Sequence, residues 1–137
     1  MEISFRVIGE PAPQGSKSFK GMRNGHAILA ESSKKVKPWR QDVAAAALEA
    51  RAGRQPLEGP VCASIRFYLA RPKSAPKSRR FPDRKPDLDK LVRSTLDAIV
   101  TAGLIVDDAQ VVNLVTTKEF ALGEPLGALV RVWMVAA

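Results

Sequence analysis

The sequence predicts an α+β domain: a two-layer fold with two main helices packed on one face of a mixed β-sheet. Three observations predict it. Apolar residues alternate with period two in short segments, most clearly over residues 2–9 and 61–69. Two longer segments, near 38–53 and 88–102, carry helix signals with a glycine at or just past their ends. Strands and helices occurring in this order pack as helices against one face of a sheet.

In chain order, Ile3, Phe5 and Val7 alternate with Ser4 and Arg6 as a first strand, which Pro11, Pro13 and Gly15 break. Residues 18–22 and 26–31 read as two short strands joined across Asn24-Gly25, a dipeptide suited to the positive φ angles of a tight hairpin. The first helix begins near Pro38, where a missing N–H is tolerated, runs through WRQDVAAAALEARA and is capped by Gly53. Val61, Ala63, Ile65, Phe67 and Leu69 form one face of the next strand. Pro72, Pro76, Pro82 and Pro86 then exclude both helix and central strand from residues 70–86. The second helix covers 88–102 and closes at Gly103; residues 104–106 form a short apolar strand ending at Asp107-Asp108. Residues 110–120 and 128–135 are two more strands, connected through Gly123, Pro125 and Gly127. With no internal repeat, residues 1–137 are expected to form a single domain with basic loops at about 10–38 and 70–86.

Composition narrows the function. The hydrophobic fraction of 45% is that of a folded globular chain. No apolar run approaches the roughly 18 residues of a membrane span, and the opening MEISFRVIGE alternates like a strand rather than a signal peptide. A cytoplasmic protein is expected. Cys62 is the only cysteine and His26 the only histidine, which excludes an internal disulfide and an ordinary Cys/His zinc site. Nucleophilic triads could draw only on His26, which follows a turn and reads as a surface residue. The net charge of +8 points to a polyanionic partner, and its distribution sharpens the point. Thirteen of the 22 Lys and Arg residues fall in the two loops: Lys17, Lys20, Arg23, Lys34, Lys35 and Lys37, then Arg71, Lys73, Lys77, Arg79, Arg80, Arg84 and Lys85. Nucleic acid is the partner these loops favour.

Between the basic loops and the last strands lies an acidic constellation. In KPDLDKLVRSTLDAI, Asp87 and Asp89 would share a face roughly 6.5–7 Å apart if the chain stays extended. That spacing suits a hard cation or a metal pair; if the helix already starts at Asp87, the two diverge and cap it instead. Asp89, Arg93 and Asp97 recur every four residues on one helical face, so that Arg93 can reach over the Asp89 carboxylate. Asp107-Asp108 places two adjacent acids where a turn needs one. Clustered carboxylates cost free energy unless a cation neutralises them, and Mg²⁺ would do so.

The run KPDLDKLVRSTLDAIVTAGLIVDDAQVVNLVTTKEF resembles the RusA family of Holliday junction resolvases of bacteria, prophages and phages. The similarity extends more loosely to GEPAPQGSKSF and KKVKPWRQDV. It implies a homodimeric crossover junction endodeoxyribonuclease of DNA recombination and repair, dependent on Mg²⁺ with Mn²⁺ able to substitute, and needing no small-molecule cofactor. Its acidic residues fall on Asp87, Asp89 and Asp108, with Asp107 beside them and Asp97 on the helix. The family's lysine one turn after the second aspartate is Arg93 here, and its usual asparagine after D-L-D is Lys90. Arg93 stays protonated, so it suits a phosphate contact better than proton donation; Lys90 or Lys118 would share the lysine's role.

The mechanism expected is hydrolysis of a phosphodiester by metal-activated water. Asp87, Asp89 and Asp108 would hold one or two ions, and Asp107 would ligate or orient Asp108. Lys17, Lys20, Arg23, Lys73, Lys77, Arg79, Arg80, Arg84, Lys85, Lys90 and Lys118 would bind DNA. Phe81 would stack on an unpaired base or pin its loop to the core. Trp39 and Trp133 read as core or dimer-interface residues. Two other classes share some of these features. A non-catalytic basic nucleic-acid-binding module would use the aspartates only as caps, and a magnesium phosphohydrolase would act on free nucleotides.

Overall fold

A computed structural model describes residues 1–15, 17–31 and 34–136, with side chains of 17–20 and 28–31 outside the description. The element order is β1 (Glu2–Ile8), β2 (Lys17–Arg23), β3 (His26–Glu31), α1 (Val36–Arg51), β4 (Val61–Leu69), α2 (Leu88–Thr101), β5 (Val111–Phe120) and β6 (Gly127–Met134). A single 3₁₀ turn, Asp108–Gln110, precedes β5. Four strands form one sheet in the order β1-β6-β4-β5, and β2-β3 form a separate hairpin. Pairing is antiparallel except between β4 and β5. Parallel neighbours need a crossover, and α2 supplies it. The fold is therefore α+β with a mixed sheet, as the sequence pattern predicts.

Both helices lie on one face of the sheet. Trp39, Val43, Leu91 and Ile99 from the helices meet Ile65, Phe67, Val130 and Val132 from the sheet in one buried cluster. Trp39 is fully buried, so it is a core residue. Its indole N–H donates to Thr95 Oγ1 at 3.2 Å, which satisfies both polar groups and fixes α1 on α2. Trp133 lies on the helix-free face of the sheet, half-buried under Arg131 at 5.2 Å. Gly127 is required by close approach: a Cβ there would stand 1.8 Å from the Val7 carbonyl oxygen.

Some boundaries differ from the sequence reading. Helix α1 starts at Val36, two residues before Pro38, so the proline sits within the first turn. Ala52 is the C-cap, left-handed at φ 53°, and Gly53 follows it, also left-handed at φ 74°. Residues 104–106 form no strand; Ile105 makes only an isolated bridge to Leu57. That segment is too short to build a ladder of its own. Among the described residues no helix is long and apolar enough to cross a membrane.

Candidate active site

Helix α2 begins at Leu88, so the Asp87–Asp89 pair is not extended. Leu88 packs against the core, which commits the chain to helix at that residue. Asp87 becomes the N-cap at φ −68°, ψ 136°, yet its side chain makes no capping hydrogen bond. Ordinary capping therefore does not account for it either. Its carboxylate lies 3.0 Å from Lys85 Nζ and 3.6 Å from Lys90 Nζ. The hydrogen bond from Lys85, with both ammonium charges, holds the Asp87 carboxyl below the usual range. Asp89 is 81% exposed and points to solvent, 4.0 Å from Lys90. Under this end of the helix, Lys118 Nζ donates to the carbonyls of Arg84 at 2.8 Å and Pro86 at 2.9 Å. Lys118 thus anchors the chain entering Asp87.

The second acid group faces the other half of α2. Asp107 caps the 3₁₀ turn: its Oδ1 accepts from Ala109 N at 2.9 Å. Gln110 closes a reciprocal capping box, its Oε1 accepting from Asp107 N at 3.0 Å and Val106 N at 2.7 Å. The same amide donates to Leu57 O at 2.9 Å and Gly59 O at 2.8 Å, tying the turn to the loop before β4. Asp107 Oδ1 is thereby engaged by the turn, whereas the Asp108 side chain takes no part in the capping box. A hydrogen bond with Asp107, then burial, then the charges of Asp107 and Asp97, push the Asp108 carboxyl above its ordinary value. Asp97, Asp107 and Asp108 line a recess of about 330 Å³ with Arg40, Val100 and Thr101.

A third element lies along α2. Gln14 N donates to Lys90 O at 3.0 Å, and Ser94 Oγ donates to Ala12 O at 2.6 Å. Gln14 Nε2 donates to Asp97 Oδ2 at 2.5 Å, while Gln14 Oε1 is buried with no partner among the described residues. Gly15, at φ 110°, completes the strap: a Cβ there would stand 2.9 Å from Arg93 Nη1. Arg93 therefore lies against residues 14–15. It forms no ion pair with Asp89 among the described residues, contrary to the reach expected from their spacing.

One chain thus presents two carboxylate groups, Asp87 with Asp89 and Asp108 with Asp107 and Asp97. Asp97 lies ten residues after Asp87 along α2, about 15 Å of axial rise. Among the described residues no three His, Cys, Asp or Glu side chains converge closely enough to hold a metal ion. Asp87, Asp89 and Asp108 do not meet within a single chain. The donors themselves suit a hard cation, being oxygen only, and the crowding that raises Asp108 is what a bound cation would relieve.

The loop 70–86 has neither helix nor strand. Lys73, Lys77, Arg80, Arg84 and Lys85 are exposed on it. Arg79 is half-buried beside Asp83 at 3.8 Å. Arg71 folds back to the carbonyl of Pro76 at 2.6 Å. Ala75 and Pro82 are the loop's buried residues, and Phe81 is 68% exposed, so it does not pin the loop. Arg23 is exposed in the hairpin, whereas the side chains of Lys17 and Lys20 lie outside the described residues. Sequence reasoning missed Gln14, Arg40 and Gln110. Only Gln110 had a signal, since D-x-x-Q is itself a capping-box pattern.

The chain is 30% identical over 139 residues to the uncharacterized protein YqaN of Bacillus subtilis (strain 168), covering 94% of this chain and 95% of that protein. The family model of the endodeoxyribonuclease RusA matches residues 9–132, a span that holds both acid groups, both basic loops and the strap along α2. This chain belongs to the RusA family of endodeoxyribonucleases.

Proposed function

We propose that this chain is a Mg²⁺-dependent endonuclease that resolves four-way DNA junctions by paired nicks, working as a homodimer. The observation that carries the proposal is Asp108, crowded by Asp107 and Asp97 in an open recess that Arg40 also lines. A divalent ion bound at these carboxylates would lower the pKa of a coordinated water and neutralise charge on the phosphate. Asp108 and the Asp87–Asp89 pair would hold it. Asp107 and Gln110 keep Asp108 turned outward. Gln14 holds Asp97. Arg93, fixed against Gly15, would contact a phosphate oxygen. Lys73, Lys77, Arg80 and Arg84 would follow the DNA backbone.

The separation of the acid groups supports a dimer. Strand β5 is one edge of the sheet and exposes Val112, Leu114 and Val115. Its amino end adjoins Asp108, and its other end carries Lys118 beneath Asp87. Antiparallel pairing of two β5 edges would set Asp108 of one copy near Asp87 and Asp89 of the other. Each composite site would then cut one strand. The test is junction cleavage with Mg²⁺ or EDTA by wild type, Asp89→Asn, Asp108→Asn and a mixture of the two variants. Paired nicks by wild type alone, with single nicking regained in the mixture, are expected. Full Mg²⁺-dependent cleavage by Asp89→Asn would refute the assignment, and a mixture that stays inactive would refute the composite site.

A further inference from the structure

The recess at Asp97 and Asp108 continues into a second concavity that the proposed chemistry does not use. This groove lies between α1 and α2 and has a volume of about 430 Å³. Val36, Ala44 and Ala98 supply apolar surface, and Lys37 and Gln41 contribute polar groups. Arg40 and Thr101 line both the groove and the acid recess. We propose that the groove seats the unpaired base of a DNA nucleotide adjoining the phosphodiester at the recess, and so sets the base preferred at the cut. The inference rests on the nuclease reading and names a subsite of it.

Four features of the groove select this occupant. Its size falls within the roughly 300–1,000 Å³ of small-molecule sites, enough for one nucleoside and far too small for duplex DNA. Only a base already out of the stack enters such a space, and a branch point supplies one. The small apolar side chains give a base face a dry surface, while the Gln41 amide offers both a donor and an acceptor to its edge. Among the described residues no carboxylate lines the groove, and Lys37 and Arg40 add two positive charges on the path to the recess. A phosphate between the two concavities would meet Arg40, whose planar fork suits phosphate oxygens. The complementarity is thus to an anionic, aromatic-ringed ligand continuous with the scissile phosphate.

The test measures kcat/KM on four-way junctions carrying each of the four bases in turn at the nucleotides flanking the cut. Gln41→Ala removes the amide from an exposed position, and Ala44→Leu fills the groove. Ala45→Leu is the control, exposed on α1 outside the groove. Wild type and Ala45→Leu should share a base preference. Gln41→Ala should reduce the best-to-worst ratio by about tenfold, and Ala44→Leu should slow the preferred junction most. Equal rates on all four bases in wild type would overturn the proposal. So would groove variants that keep the wild-type ratio or slow all junctions equally. If wild type cuts no junction, the nuclease reading has failed, and the groove is then read by binding in EDTA. A 2-aminopurine at the same positions should change fluorescence on wild-type binding and not on Ala44→Leu binding; no change with wild type overturns the groove.

Discussion

Replacing Gln110 by alanine removes four hydrogen bonds made by one amide, two accepted from Val106 N and Asp107 N and two donated to Leu57 O and Gly59 O. A net contribution of about 0.5–1.5 kcal/mol applies to each such bond, and three of these four are solvent-exposed. Exposed groups recover hydrogen bonds to water, so the low end applies and the total is about 2 kcal/mol. For a chain of 137 residues that lowers Tm by roughly 6–10 °C. The Leu57 N to Leu104 O bond at 2.9 Å remains, so the loop before β4 keeps one tie and the fold survives. The functional loss should exceed the stability loss, because Asp107 and Asp108 lose the turn that aims them. The assay pairs a thermal melt with junction nicking at a temperature well below both melting points. A Tm within about 2 °C of wild type together with an unchanged nicking rate would refute the reasoning.

Three further outcomes are expected. Lys118→Met should lower the nicking rate while leaving the salt dependence of DNA binding unchanged, because the ammonium is committed to two backbone carbonyls rather than to phosphate; a slope shallower by about one unit in a log–log binding plot would restore it as a DNA contact. Phe81→Ala should leave stability within about 0.5 kcal/mol of wild type and reduce the preference for branched over linear DNA; unchanged preference in a competition binding assay would end its stacking role. Glu2 bonds Arg131 at 2.7 Å, and that hydrogen bond lowers the Glu2 carboxyl from its ordinary value. A depressed folded-state pKa contributes stability above the unfolded value and loses it as pH falls through the folded one. Wild type should therefore exceed Glu2→Gln in Tm at pH 7, with the gap closing as pH drops through and below the ordinary carboxylate range. A gap independent of pH would assign the effect to packing.

The local features of this chain were legible in its residues because they are set by neighbours in sequence. The period-two alternation of 61–69, the Asn24-Gly25 turn and the proline-studded loop depend on backbone sterics and on which side of one element is apolar. So did the helical phase that puts Asp89, Arg93 and Asp97 on one face of α2. Long-range placement was a different matter. The order β1-β6-β4-β5 follows from pairing between segments far apart in sequence, Glu2 with Trp133, Val61 with Met134 and Val61 with Val111, which no local period encodes. The start of α2 at Leu88, which packs against the core, sets Asp87 at the N-cap and Asp89 in the first turn rather than on one extended strand. The division of the acids into two groups follows from the direction of α2, which runs back along β4 and β5. The buried Gln14 amide and the groove shared by Arg40 arise where the strap and two helices pack, so only the tertiary structure brings them into view.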